Sequence, residues 1–204
     1  MATAECDSDV LNSVDSQSTN PIPVIYQSGY LTIKGYDPEF GLYQLGFPNK
    51  EVEDGFLKFL LPNYASIDNT QTAFVITNFV KEIRTGKVDD FLKRLSSLFA
   101  DTPYELVKDL ENHYQNVLFI VTKLMGFYVK AEYHTSEGRI DLVLQTDAYT
   151  YVMEFKLNGT AEEALAQIND KNYTLPFAVD NRKLVKVGIN FSSATRNIER
   201  WIVE

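Results

Sequence analysis

The run Gly138-Arg139-Ile140-Asp141-Leu142-Val143-Leu144, followed after a short polar break by Tyr149-Thr150-Tyr151-Val152-Met153-Glu154-Phe155-Lys156-Leu157, decides how the second half of the chain is read. Both runs alternate with the period of two that marks β-strands. In the second run Tyr151, Met153, Phe155 and Leu157 point one way, and Thr150, Val152, Glu154 and Lys156 the other. One face is greasy; the other bears an acid and a base. In the first run Ile140, Leu142 and Leu144 share a face, which leaves Arg139, Asp141 and Val143 opposite. A hairpin centred between Asp147 and Ala148 sets Asp141 directly across from Glu154. Paired Cβ atoms in such a ladder are roughly 4.5 to 5.5 Å apart, and like charges there are destabilising unless something compensates them. A divalent cation compensates both, and carboxylate oxygens completed by waters and phosphates suit magnesium or manganese rather than zinc. A slip of one residue would send one carboxylate to the other face. Thr146-Asp147-Ala148-Tyr149 lacks the Asn-Gly that fixes a two-residue turn, but a four-residue loop over the same positions keeps the pairing.

Working outward, Thr160 with Glu163 reads as a capping box that opens a helix through about Tyr173. Gln167 lies on the inward side of that helix with Ala164, Ile168 and Lys171, where its amide can hold a water or Lys156. Leu184 to Phe191 reads as a fourth apolar strand, and Trp201 to Val203 as an edge. Upstream, a helix is expected from about Thr102-Pro103 to Met125, closed by Gly126, with Val107, Leu110, Tyr114, Val117, Leu118, Val121 and Leu124 as its apolar stripe. Glu111 sits at the margin of that stripe as a further candidate ligand, direct or through water. Lys156, two residues beyond Glu154 on the same face, can contact a scissile phosphate, orient a water or stabilise developing negative charge. Together these residues outline a site for metal-assisted phosphodiester hydrolysis. Taken singly, each has a plainer reading: Glu154 as an exposed cross-strand acid, Glu111 as a solvated helix acid, Gln167 as a surface amide.

The rest of the sequence sets bounds. Its 204 residues, 45% hydrophobic with 13 Phe and 12 Tyr, describe a packed globule with room for one core. One cysteine and two histidines exclude an internal disulfide and a zinc site of four N/S ligands. The longest apolar run, Val117 to Val121, is far too short to span a bilayer, and no basic-then-apolar leader opens the chain, so a cytoplasmic protein is expected. The net charge of −9 argues against broad coating of nucleic acid. Its distribution is uneven, with 21 Asp plus Glu against 12 Lys plus Arg before residue 150 and seven of each from there on. That leaves room for a local basic groove. Residues 1–20 are polar and expected to be mobile. Residues 21–100 are expected to form a β-ribbon (Tyr30 to Lys34 with Leu42 to Phe47) followed by helices near Glu51–Leu61, Asn69–Arg84 and Val88–Phe99. Residues 101–204 are expected to form an α/β domain.

The ordered set Glu111, Gly138-Arg139-Ile140-Asp141, Glu154-Phe155-Lys156 and Ala164-Leu165-Ala166-Gln167-Ile168 resembles the PD-(D/E)XK nuclease superfamily. More narrowly, it is similar to the nuclease domain associated with AAA-ATPase-like proteins of Bacteroides and other anaerobes. Tyr26 to Ile33 and Leu45 to Val52 resemble the end of that family's ATPase-like region, so the resemblance covers roughly residues 20 to 204. It implies a restriction-endonuclease-like mixed central sheet flanked by helices, with a small N-terminal α+β subdomain. It also implies Asp141, Glu154 and Lys156 as the active triad, Glu111 and Gln167 as auxiliary positions, and Mg2+ or Mn2+ as cofactor. Tyr173 matches an aromatic that often follows the glutamine in relatives, as a packing residue. The chain departs from the pattern upstream: no G-x-x-x-x-G-K-[ST] phosphate loop occurs in it, which puts ATP binding by this chain in question.

Two readings follow. The first is a magnesium-dependent nuclease acting on nucleic acid, DNA ahead of RNA. The second is a catalytically silent nuclease fold that binds nucleic acid or a protein, since fold does not determine function. A lesser reading makes residues 21–100 a docking platform for an ATPase or another protein partner, marked by exposed Phe and Tyr.

Overall fold

The computed structural model describes residues 4–13, 20–65, 67–68, 70–100, 110–126, 128–136 and 138–204; the side chains at 110–112 and 128–134 lie outside that set. The chain divides into two compact units, Met1–Leu57 and Lys58–Glu204.

The first unit carries β1 (Ala4–Cys6), α1 (Ser8–Asn12), α2 (Ile22–Gln27), β2 (Thr32–Asp37) and β3 (Leu42–Gly46), with the three strands antiparallel in the order β1-β3-β2. The ribbon expected from the alternating runs is β2 with β3. The segment before it differs from expectation, because part of it has apolar residues with somewhere to go. Cys6 and Leu11 are buried with Leu45, surrounded by Ile22, Tyr26 and Tyr43, and the Asp7 carboxylate caps α1 by accepting from Val10 N at 2.8 Å. Ile33, Tyr36 and Phe40 stay exposed on the ribbon and its turn.

After α3 (Lys50–Tyr64) the second unit continues with α4 (Thr72–Arg84), α5 (Val88–Ala100), α6 (Leu110–Met125), β4 (Tyr128–Thr135), β5 (Gly138–Gln145), β6 (Tyr149–Leu157), α7 (Ala161–Asp170), a 3-10 turn at Leu175–Phe177, β7 (Lys183–Ser192) and β8 (Asn197–Val203). The expected helix ahead of the sheet is present from Leu110; residues 101–109, where its start was placed, lie outside the described residues. Sequence reading places a boundary near residue 100, whereas α4 and α5 belong to the unit that holds the sheet. The reason is visible in side chains. Tyr151 Oη donates to the Ile83 carbonyl at 2.7 Å. Trp201 Nε1 donates to Asp89 Oδ1 at 2.8 Å, and Asn197 Nδ2 donates to the Ser96 carbonyl at 3.0 Å.

The five strands run β4-β5-β6-β7-β8. All neighbours are antiparallel except β6 and β7, which are parallel. A parallel pair needs a crossover, and α7 supplies it. The greasy face of β6 and β7 packs on the helices that precede the sheet: Tyr114 stacks on Phe191 at 4.3 Å, Phe99 meets the same ring edge-on at 5.4 Å, and Phe155 lies 5.7 Å from it. The opposite face packs under α7, where Val143 and Val152 are buried with Ile168 and Tyr173. Ile140, which simple alternation places on the other face, joins that cluster; it lies outside the paired stretch of β5 and β6, where twisted strand ends diverge. Among the described residues no helix is long and apolar enough to cross a membrane.

Candidate active site

The ladder between β5 and β6 pairs Gln145 with Thr150, Leu144 with Tyr151, Val143 with Val152 and Leu142 with Met153. This is the register of a hairpin centred between Asp147 and Ala148. The turn needs no Asn-Gly because Thr146 organises it: its Oγ1 accepts from Tyr149 N at 2.9 Å and from Ala148 N at 3.3 Å, while its own N–H donates to the Tyr149 carbonyl at 2.9 Å. Asp141 and Glu154 stand one step beyond the last pair. There the Asp141 carboxylate does what a strand carbonyl would otherwise do, accepting from Phe155 N at 2.9 Å. One acid thus pins the backbone beside the other.

Glu154 is 2% exposed. Its Oε1 accepts from the Gln167 amide nitrogen and lies 3.6 Å from the Lys156 ammonium. Its Oε2 is buried with no hydrogen-bond partner. Burial, followed by the nearby Asp141 charge, pushes the Glu154 carboxyl up to about 7, against smaller downward pulls from Lys156 and from the Asp141 backbone N–H. The Lys156 ammonium donates to the Gln167 amide oxygen. Gln167 therefore bridges base and acid, with its orientation dictated by charge: oxygen toward the ammonium, nitrogen toward the carboxylate.

What brings Gln167 down to the strand is α7. Thr160 Oγ1 accepts from Glu163 N at 3.0 Å and Glu163 Oε2 accepts from Thr160 N at 2.9 Å, the capping box read from sequence. The helix lies close because Gly188, which pairs with Glu154 across the parallel ladder, offers no side chain. A Cβ there would come 2.3 Å from the Ala161 carbonyl oxygen and 2.7 Å from Leu165 N. No sequence signal short of the completed register marks Gly188 as the place where helix meets strand.

The structure brings together Asp141, Glu154, Lys156 and Gln167. Glu111 is carried by α6, and its side chain lies outside the described residues. Among the described residues no cluster of three or more His, Cys, Asp or Glu side chains gathers at one point; Asp141 and Glu154 form a pair of neighbouring carboxylates. His113 is buried against the rings of Tyr64 and Tyr114, and burial holds its imidazole below the usual histidine range. That is a packing environment.

A family model described as the PD-(D/E)XK nuclease superfamily matches residues 109–201. The match takes in the helix that bears Glu111, the strands that bear Asp141, Glu154 and Lys156, and the helix that bears Gln167. The mixed sheet flanked by helices, with a small α+β unit at the N-terminal side, is restriction-endonuclease-like, as the resemblance implied. The chain is also 28% identical, over 200 residues, to an "uncharacterized protein in vnfD 5'region" of Azotobacter chroococcum mcd 1. That alignment covers 89% of this chain and 37% of the relative, so the chain spans little more than a third of that protein's length. No solved structure matches the chain.

Proposed function

We propose that the chain hydrolyses phosphodiester bonds of nucleic acid, DNA before RNA, at the site formed by Asp141, Glu154, Lys156 and Gln167, with a magnesium or manganese ion as cofactor. One observation carries the reading: the Glu154 Oε2 is buried without a hydrogen-bond partner, on the site-facing side of a strand and under the repulsion of Asp141. An unpaired buried carboxylate oxygen beside a second acid is costly to hold, and a hard cation satisfies both acids at once. Asp141 and Glu154 would hold that ion, with Glu111 as the candidate third donor. When bound, such an ion polarises a phosphate oxygen and raises the acidity of water.

The chain's own residues do the rest. Asp141 is tied to the strand by Phe155 N, which fixes its carboxylate in place near Glu154. The Lys156 side chain is 31% exposed, so its ammonium can meet an incoming phosphate while Gln167 keeps it from collapsing onto Glu154. A cation aimed at the scissile phosphate stabilises the charge that grows there in the transition state. The seven bases and seven acids from residue 150 onward cancel, so this part of the chain adds nothing to the net acidity that would repel a polyanion.

The test pairs binding with turnover. Calorimetric titration with manganese should show one site in the wild type and a loss of at least about tenfold in affinity in Asp141→Asn, as expected when an ion loses a charged ligand. Cleavage of single-stranded, duplex and branched DNA, and of RNA, should require the ion and disappear in Lys156→Met. Equal metal binding by wild type and Asp141→Asn would remove the proposed ligands. Nucleic-acid binding without cleavage at any ion concentration would favour the silent module instead.

A further inference from the structure

Gln167 has a third partner that the site as described does not use. Its amide nitrogen carries two hydrogens. One goes to Glu154 Oε1; the other is directed at the Tyr173 hydroxyl, 3.4 Å away. Tyr173 is 2% exposed, so water is a poor substitute acceptor there. Its hydroxyl occupies a space the fold has kept open. Gly138, the first residue of β5, sits at φ +149, and a Cβ at that position would come 2.8 Å from the Tyr173 oxygen. Both the conformation and the contact restrict the position to glycine.

The way Tyr173 arrives is equally defined. After α7, Asn172 takes a left-handed φ of 47°. Tyr173 N then donates to the Ile168 carbonyl at 3.0 Å and Asn172 N to the Asn169 carbonyl at 3.1 Å. These two bonds are those of a Schellman turn, and its usual apolar contact is also made, since Tyr173 and Ile168 share one buried cluster. The turn folds the chain back under its own helix and delivers the tyrosine beneath the glutamine one and a half turns earlier.

We propose that the Tyr173 hydroxyl, seated over Gly138, is a positioning group that fixes the Gln167 amide and through it the placement of Glu154 and Lys156. The geometry makes Tyr173 more than a packing aromatic: its ring fills the core, and its oxygen occupies the second amide hydrogen. Its bearing on turnover rests on the nuclease reading above; its bearing on Gln167 does not.

The test uses Tyr173→Phe, which keeps the ring and removes only the oxygen. By NMR on the whole chain without metal, the Gln167 side-chain amide protons should exchange with water about fivefold faster in Tyr173→Phe, the effect of losing one ordinary hydrogen bond, while backbone amides of β6 and α7 keep their shifts. Cleavage should lose a similar factor in kcat with KM unchanged. Gly138→Ala should perturb the same amide, and the double variant Gly138→Ala/Tyr173→Phe should fall well short of the sum of the two single effects at Gln167, because the clash is gone and only the backbone strain of alanine at φ +149 remains. Unchanged exchange at Gln167 in Tyr173→Phe would overturn the proposal and leave Tyr173 as packing. A Gly138→Ala effect that adds in full to that of Tyr173→Phe would overturn the link between glycine and hydroxyl. If the wild type cleaves nothing, the nuclease reading fails, and the exchange rates still decide the role of Tyr173.

Discussion

Replacing Glu154 by glutamine is expected to stabilise the metal-free protein, and to do so only away from acid. Burial and the Asp141 charge raise the Glu154 carboxyl from its ordinary 4.5 to about 7. A group raised on folding keeps its proton in the native state at pH values where the unfolded chain has released it. Its contribution to stability is therefore full below about pH 4.5 and is lost progressively as pH rises to about 7. Each pH unit in that window is worth about 1.4 kcal/mol, so the interval is worth about 3 kcal/mol. An amide at position 154 does not titrate. Its oxygen still accepts from Gln167, and it puts no charge beside the Asp141 carboxylate. Urea unfolding of wild type and Glu154→Gln, in chelator at pH 4.5, 6, 7 and 8, should give nearly equal stabilities at the acid end and an advantage to the variant approaching about 3 kcal/mol at pH 8. Manganese should close or reverse the gap by stabilising the wild type alone. A difference independent of pH, or a wild type more stable than the variant at pH 8 in chelator, would refute the reasoning.

Gly188→Ala is expected to cost more than about 3 kcal/mol, above ordinary overpacking, because the new methyl meets backbone of α7 rather than a movable side chain; circular dichroism melts check it, with manganese binding weakened in parallel. Tyr151→Phe should lose about 1 kcal/mol in chemical denaturation, since it removes the buried hydroxyl bond to the Ile83 carbonyl, which keeps Gly86 N as a donor at 3.4 Å. Thr160→Ala should cost about 1 kcal/mol by removing half of the α7 capping box, with Thr160→Ser restoring most of it.

The pairing of β5 with β6 is legible in the sequence because two period-two runs flank a short break, and a hairpin centred on that break puts Tyr151 and Leu144 on the same buried side, where a slip of one residue would not. The α7 cap is legible because a capping box is local chemistry, complete within four residues. Lys156 and Gln167 can be placed near Glu154 for the same reason, one by alternation along a strand and the other by the inward face of a capped helix. What sequence does not disclose is long-range. Gly188 matters only once β7 is known to run parallel to β6 in a register that sets it beside Glu154. Tyr173 becomes part of the site only through a left-handed Asn172, a residue type that adopts that conformation often enough to permit it and too seldom to announce it. The packing of α4 and α5 with the sheet depends on single contacts such as Trp201 with Asp89, more than a hundred residues apart in sequence. No local pattern encodes those.

The bond from Phe155 N to Asp141 gives the two acids different histories. A mutation that removes the Asp141 carboxylate also strips a strand amide of its acceptor, so selection for folding alone would preserve this aspartate in a lineage that had abandoned chemistry. Glu154 has no such protection: folding alone would discard its charge for an amide. Among descendants of this fold, it is the glutamate rather than the aspartate whose retention folding alone does not explain.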